Sequence, residues 1–254
     1  MSIDLLIIIL LMLVLLLLLH LLRRLEEAQQ QNEQVHTELD EKIERERDNL
    51  FAQLEAYNSL RDRLDLRKGM PFTKSWSAAP DFLQLIVNHA LAEKPQVIFE
   101  CSSGLTSLML ARCCQLNGAG HLFSLENGEE YAAKSRAEID RYELTDFADV
   151  VYAPLEGTEV NGDLYQWYAQ DGIPDAAIDM LVIDGPPGFI QRYSRFPALP
   201  LLYDKLADGC VIYMDDAARE DELEIIEMWK RLYPKLEHRY LKTERGCSVV
   251  VIRK

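Results

Sequence analysis

Hydrophobic and polar positions follow three different rhythms along this chain. From Leu5 to Leu22 every residue is apolar except His20. As a helix rising 1.5 Å per residue, that run extends about 27 Å, close to the ~30 Å hydrocarbon core of a bilayer. Residues 25 to 68 contain neither Gly nor Pro and are rich in Glu, Gln, Arg and Leu, a composition that favours helix over about 66 Å. Ile43, Leu50, Tyr57 and Leu64 recur every seven residues, with Leu39 and Leu60 at companion positions, while Glu46 and Gln53 interrupt the seam. Such a stalk suits a parallel coiled-coil homodimer, and it also suits a solvated single helix. Gly69 and Pro71 are expected to end it.

Beyond residue 70 the rhythm changes to short apolar runs separated by amphipathic stretches. The runs are Val97–Phe99, Leu122–Leu125, Val150–Tyr152, Met180–Ile183 and Val211–Met214, β-branched or aromatic in content and reading as buried parallel strands. A leading helix is expected over 80–92, further helices over 106–115, 129–142, 198–206 and 220–232, and a closing hairpin over 238–241 and 247–252. The prediction is an open, doubly wound, mostly parallel seven-stranded α/β sheet. Three segments follow: an anchor over 1–24, a helical stalk over 25–70 and a catalytic-size domain over 71–254.

Composition narrows the partners. The chain has 254 residues with 27 Lys+Arg against 42 Asp+Glu, a formal charge of −15, which repels a phosphate backbone and argues against nucleic acid. Five cysteines, an odd number without C-x-x-C spacing, fit a reduced compartment. The apolar run is preceded by Asp4 and no basic residue and followed by Arg23-Arg24. It therefore reads as a retained anchor with the following residues on the cytoplasmic side.

In a doubly wound sheet ligands bind at the carboxyl ends of the strands, and those ends are acidic here. The first strand runs into Glu100-Cys101-Ser102-Ser103-Gly104, the second into Glu126-Asn127, the fourth into Asp184-Gly185-Pro186-Pro187-Gly188 and the fifth into Asp215-Asp216. A turn of small residues opening a helix lets backbone N–H groups approach a ligand, and an acid at the end of the second strand suits a ribose diol. The nicotinamide fingerprint G-x-G-x-x-G is absent, and so is a Walker lysine. Asp184, Asp215 and Asp216 would repel one another unless a proton or a divalent cation balances them. Tyr165, Trp167 and Tyr168 suit either a lid or core packing. Arg192, Tyr193 and Arg195 suit either an anionic acceptor or a solvated loop.

Taken together, Glu100–Ser107, Glu126, the D-G-P-P-G of Asp184–Gly188, the stretch Arg195–Leu202 and the D-D-A-A-R of Asp215–Arg219 resemble a bacterial branch of the class I S-adenosylmethionine-dependent methyltransferases. The resemblance covers about Pro95 to Asp221. It implies methyl transfer from S-adenosylmethionine to a hydroxyl-bearing acceptor, and the anchor adds the expectation that this acceptor is membrane-associated or a glycan at the cytoplasmic face of a bacterial inner membrane. Glu100, Ser102, Ser103, Gly104, Glu126, Asn127 and Asp184 would bind the donor, and Asp184 or Asp215 would act as base. Likeness to metal-dependent catechol-type enzymes adds Mg²⁺ or another divalent cation on Asp184, Asp215 and Asp216. Two departures stand out: Ser102 where that family commonly has Gly, and Pro187 where the catechol-type enzymes place a lysine. A non-catalytic membrane scaffold retaining the fold is the rival expectation.

Overall fold

The computed structural model describes residues 3–66, 68–69 and 77–254. They fall into two compact units, the first ending at Phe51 and the second running from Ala52 to Lys254. Helix α1 (Ile3–Arg63) contributes to both. Its first part carries the run Leu5–Leu22, exposed throughout, and among the described residues α1 is the one helix long and apolar enough to cross a membrane.

The second unit takes in the C-terminal part of α1, where Ala56 and Leu60 are buried together with Leu64 and Leu66 beyond the helix end. The helix stops at Arg63 rather than Lys68. Asp65 takes a left-handed φ of 44°, and the Asp65 and Leu66 N–H groups donate back to Asp62 O and Arg61 O. These two bonds close the last turn as a Schellman-type cap. Burial of Leu64 and Leu66, with Arg112 Nε donating to Leu64 O at 2.7 Å, outweighs the helix propensity of the residues that follow. Gly69 comes after this turn, and Pro71 lies outside the described residues.

The main sheet has seven strands in the order β3-β2-β1-β6-β7-β9-β8. Strands β1 (Val97–Cys101), β2 (His121–Glu126), β3 (Ala148–Tyr152), β6 (Ile178–Ile183) and β7 (Leu206–Met214) are parallel. The closing pair β8 (Glu237–Leu241) and β9 (Cys247–Val251) is antiparallel to them and to each other. Helices α2 (Pro80–Glu93), α3 (Leu105–Asn117) and α4 (Glu129–Arg141) bury Phe82, Ile86, Leu108 and Ala132 on one face. Helices α5 (Ala198–Leu202) and α6 (Glu220–Leu232) bury Leu199 and Trp229 on the other. Chain order reverses between β1 and β6, which opens a crevice at their carboxyl ends.

Two elements differ from expectation. The connection from β3 to β6 carries an antiparallel hairpin, β4 (Leu155–Val160) and β5 (Asp163–Tyr168), which the strand pattern did not anticipate. Its turn is Asn161-Gly162, both at positive φ of 54° and 91°, the geometry of a type I′ turn. The helix expected over 198–206 ends at Leu202 and passes through a 3-10 turn (Tyr203–Lys205) into β7, five residues before the strand was expected to begin.

Candidate active site

A cavity of about 620 Å³ occupies the crevice. Among its walls are Ser102, Ser103, Glu126, Asn127, Asp184 and Asp216, contributed by the ends of β1, β2, β6 and β7. Six of the sequence-expected site residues thus meet around one space. The other three, Glu100, Gly104 and Asp215, stand behind its wall, and each departure from expectation has a physical cause.

Glu100 is fully buried beneath the turn, where it accepts hydrogen bonds from the hydroxyls of Thr106, Ser107 and Ser124. Burial pushes its carboxyl up to about 7 against the lowering effect of those bonds. It ties β1 to the first turn of α3 and to β2, so it shapes the turn rather than touching a ligand. Gly104 caps α3, its N–H donating to Ser107 Oγ at 3.0 Å. With φ at 144° it holds a backbone shape that other residues rarely adopt.

Ser102 has φ of 124°, the same left-handed half of backbone space, without the freedom of glycine. The conformation is held because Ser102 N–H donates to Leu125 O at 2.9 Å and Ser102 O accepts from Ser124 Oγ at 3.1 Å. Strain of this kind, of order 1–3 kcal/mol, persists only where neighbours enforce it.

Glu126 is nearly buried and faces the cavity. Its Oε2 accepts from the N–H and hydroxyl of Ser103 at 3.1 and 3.0 Å, and its Oε1 accepts from Gly128 N–H at 2.8 Å. The Ser103 hydroxyl is also 2.8 Å from Ser135 Oγ. It can therefore turn to that partner and leave Glu126 open to a diol.

Asp184, Asp215 and Asp216 bring ligand atoms within 4.8 Å of one another. At their centre lies Arg195, only 2% exposed on its side chain. Its Nη1 donates to Asp215 O at 2.6 Å, and its Nη2 to Asp184 O at 2.9 Å and Asp216 Oδ2 at 2.7 Å. Neither sequence expectation for Arg195, anion contact or solvated loop, describes this buried brace. The signal available was an arginine opening an apolar run, F-P-A-L-P-L-L. Arg192, by contrast, is exposed and pairs with Asp221 and Glu224, while Tyr193 bonds Glu224 and lines the cavity.

Asp216 is further held by Arg219 Nη2 at 3.0 Å, whereas Asp184 Oδ1 has only a loose 3.5 Å contact to Arg195. Both Asp215 carboxylate oxygens are buried without a hydrogen-bond partner. Burial pushes the carboxyls of Asp184 and Asp215 up. Asp216 adds to the effect on both, Asp184 to that on Asp215, and Arg195 opposes it. Such an arrangement can hold a proton or a cation in the space between Asp184 and Asp215.

Tyr165 and Trp167 are core residues, as Tyr165 packs against Phe196 with ring centroids 5.4 Å apart and Trp167 is 1% exposed. Tyr168 is buried as well, at the edge of the cavity.

Residues 101–217 match the family Methyltransf_24, described as a methyltransferase domain. No curated protein sequence matches the chain. Among solved structures, the O-methyltransferase from Bacillus cereus in complex with SAH is similar at a TM-score of 0.54 and 15% identity, over 78% of this chain and 91% of that one. The SAH-bound methyltransferase PaMTH1 of Podospora anserina gives 0.54 and 14%, over 80% and 88%. The O-methyltransferase TomG of Streptomyces achromogenes, in complex with SAM, gives 0.52 and 13%, over 79% and 90%. The family match makes residues 101–217 a methyltransferase domain, and the sheet order and the structural likeness give it the class I methyltransferase fold.

Proposed function

We propose that the chain is an O-methyltransferase held at the cytoplasmic face of a bacterial inner membrane, acting on a hydroxyl-bearing acceptor that is membrane-associated or a glycan. The observation that carries this reading is the Asp184 carboxyl on the cavity wall, beside the orphaned oxygens of Asp215, in a cavity that Glu126 also lines. O-methylation needs the acceptor proton removed as the hydroxyl attacks a positioned sulfonium methyl group. Asp184, on the cavity wall, takes that proton; Asp216 beside it on the wall and Asp215 behind it tune it. Glu126 and the Ser102–Ser103 turn orient the donor. The presence of Glu100, Glu126, Asp184 and Asp215 together argues against a scaffold that has lost activity.

The unpartnered Asp215 oxygens and the weakly neutralised Asp184 form a hard-oxygen set that fits a divalent cation. Asp184, Asp215 and Asp216 would hold it, and when bound it would supply charge stabilisation for the developing alkoxide. Arg195 and Arg219 already neutralise Asp216, so the charge left to balance lies on the other two. Arg23-Arg24 after the apolar run supports the cytoplasmic placement, and anchoring raises the effective concentration of a membrane-confined acceptor.

Titration calorimetry of the full chain in detergent with S-adenosylmethionine and with NAD tests the donor; binding of NAD alone overturns the assignment. Methyl transfer to hydroxyl acceptors in excess EDTA tests the cation. Activity lost to EDTA and restored by Mg²⁺ or Mn²⁺ supports it, and full turnover in EDTA removes it.

A further inference from the structure

We propose that Phe189 and Tyr193 form a platform for one face of a neutral sugar ring, so that the methyl acceptor is an uncharged pyranose of a glycan. This inference rests on the methyltransferase reading of the same cavity and narrows its acceptor.

Both residues belong to the segment that follows β6, and both line the cavity. That segment is firmly braced. The side-chain amide of Gln191 donates to Gln166 O at 3.2 Å and accepts from Gln166 N–H at 2.9 Å, as a neighbouring strand would. Ser194 Oγ donates to Pro186 O at 3.0 Å, and Ile190 N–H to Pro187 O at 3.1 Å. Phe189 is nonetheless 77% exposed. A braced loop loses little freedom when a ligand arrives, and covering the phenyl ring removes apolar surface from water.

Tyr193 holds a left-handed φ of 55°, a conformation that a bulky residue rarely adopts and that clusters at ligand sites. Its hydroxyl donates to Glu224, and the Arg192 guanidinium lies 4.5 Å from its ring centroid. Neither Glu224 nor Arg192 lines the cavity. The ring face turned away from Arg192 is therefore what Tyr193 offers a ligand.

The C–H bonds on one face of a pyranose carry partial positive charge and suit the negative face of an aromatic ring. Sugar hydroxyls both donate and accept, and the adjoining wall offers partners of both kinds: Arg219 bonds Asp216 at 3.0 Å and approaches Glu222 to 3.6 Å. Acids on the cavity wall outnumber arginines six to three, which opposes a carboxylate or phosphate on the acceptor. A planar phenol would stack as well, but it would cover these charged groups without enough hydroxyls to meet them.

The test is saturation-transfer NMR on the full chain in lauryldimethylamine oxide, a sugar-free detergent, with S-adenosylhomocysteine present. The probes are the methyl glycosides of glucose, galactose and mannose, methyl glucuronide and catechol, with the signals from empty micelles subtracted. At least one neutral glycoside should bind, about fivefold more weakly to Phe189→Ala, with affinity restored in Phe189→Trp. Calorimetry of S-adenosylhomocysteine on the same preparations reports whether each variant keeps its fold and donor site. Tighter binding of glucuronide or catechol than of every neutral glycoside overturns the proposal. So does a neutral glycoside whose affinity Phe189→Ala leaves unchanged, and so does a donor-loaded chain that binds no neutral glycoside. If the wild-type chain fails to bind S-adenosylhomocysteine, the methyltransferase reading fails with it, and that outcome is distinct.

Discussion

Arg195 Nη2 donates to Asp216 Oδ2 at 2.7 Å from a side chain that is 2% exposed, and the same guanidinium bonds the backbone carbonyls of Asp184 and Asp215. One side chain therefore braces the ends of β6 and β7 and supplies an internal positive charge to the acids they carry. A planar fork can bridge several acceptors at once, whereas a lysine cannot.

Arg195→Ala should accordingly destabilise the domain by about 3–5 kcal/mol, because it leaves buried carboxylates uncompensated. Urea unfolding measures the loss. Adding Asp216→Asn should restore part of it, and strict additivity of the two changes would show that the pair is not coupled.

Glu126→Ala should weaken S-adenosylmethionine binding at least tenfold while the fold persists, since a carboxylate accepting diol hydroxyls in a water-poor site forms charge-assisted bonds. Calorimetry with a matched circular-dichroism spectrum checks it. Unchanged affinity would place the ribose elsewhere.

Most of the architecture was legible because parallel strands buried on both faces announce themselves as short β-branched runs, as Met180–Ile183 does. The hairpin was missed although Asn161-Gly162 is a strong turn signal, because its strand Leu155–Val160 is mostly polar and only half-covered. At the site, the acids were legible from their places at strand ends. Their division into ligand-facing and supporting groups was not, because it depends on which way a side chain turns from the strand end. Glu100 turns beneath α3 and Glu126 into the cavity. The brace by Arg195 spans 20 residues in sequence to Asp215, a pairing that no local pattern encodes.

Stability should depend on pH through Glu100. Burial raises its native carboxyl from the usual 4.5 to about 7, so the folded chain holds the proton more tightly than the unfolded chain does. The resulting stabilisation is complete below about pH 4.5 and is lost as pH rises through about 7. Glu100→Gln cannot titrate. The wild-type melting temperature should therefore fall relative to that of Glu100→Gln between about pH 5 and pH 8, and a difference independent of pH would refute the shift.

The heptad seam of α1 divides into two parts with separate tests. Leu60 and Leu64 are buried in the domain core, whereas Leu39, Ile43 and Leu50 are 49%, 56% and 60% exposed. The residues that spell a coiled coil near the C-terminal end of the seam are thus already occupied within one chain, and a homodimer has only the earlier part to use. Leu60→Ala should cost the domain about 2–5 kcal/mol, as a cavity in a packed core does. Ile43→Ala with Leu50→Ala should leave domain unfolding unchanged and weaken any self-association seen by sedimentation in detergent. If the double variant associates as the wild type does, the stalk is a single solvated helix and its spacing serves only to dock Leu60 and Leu64.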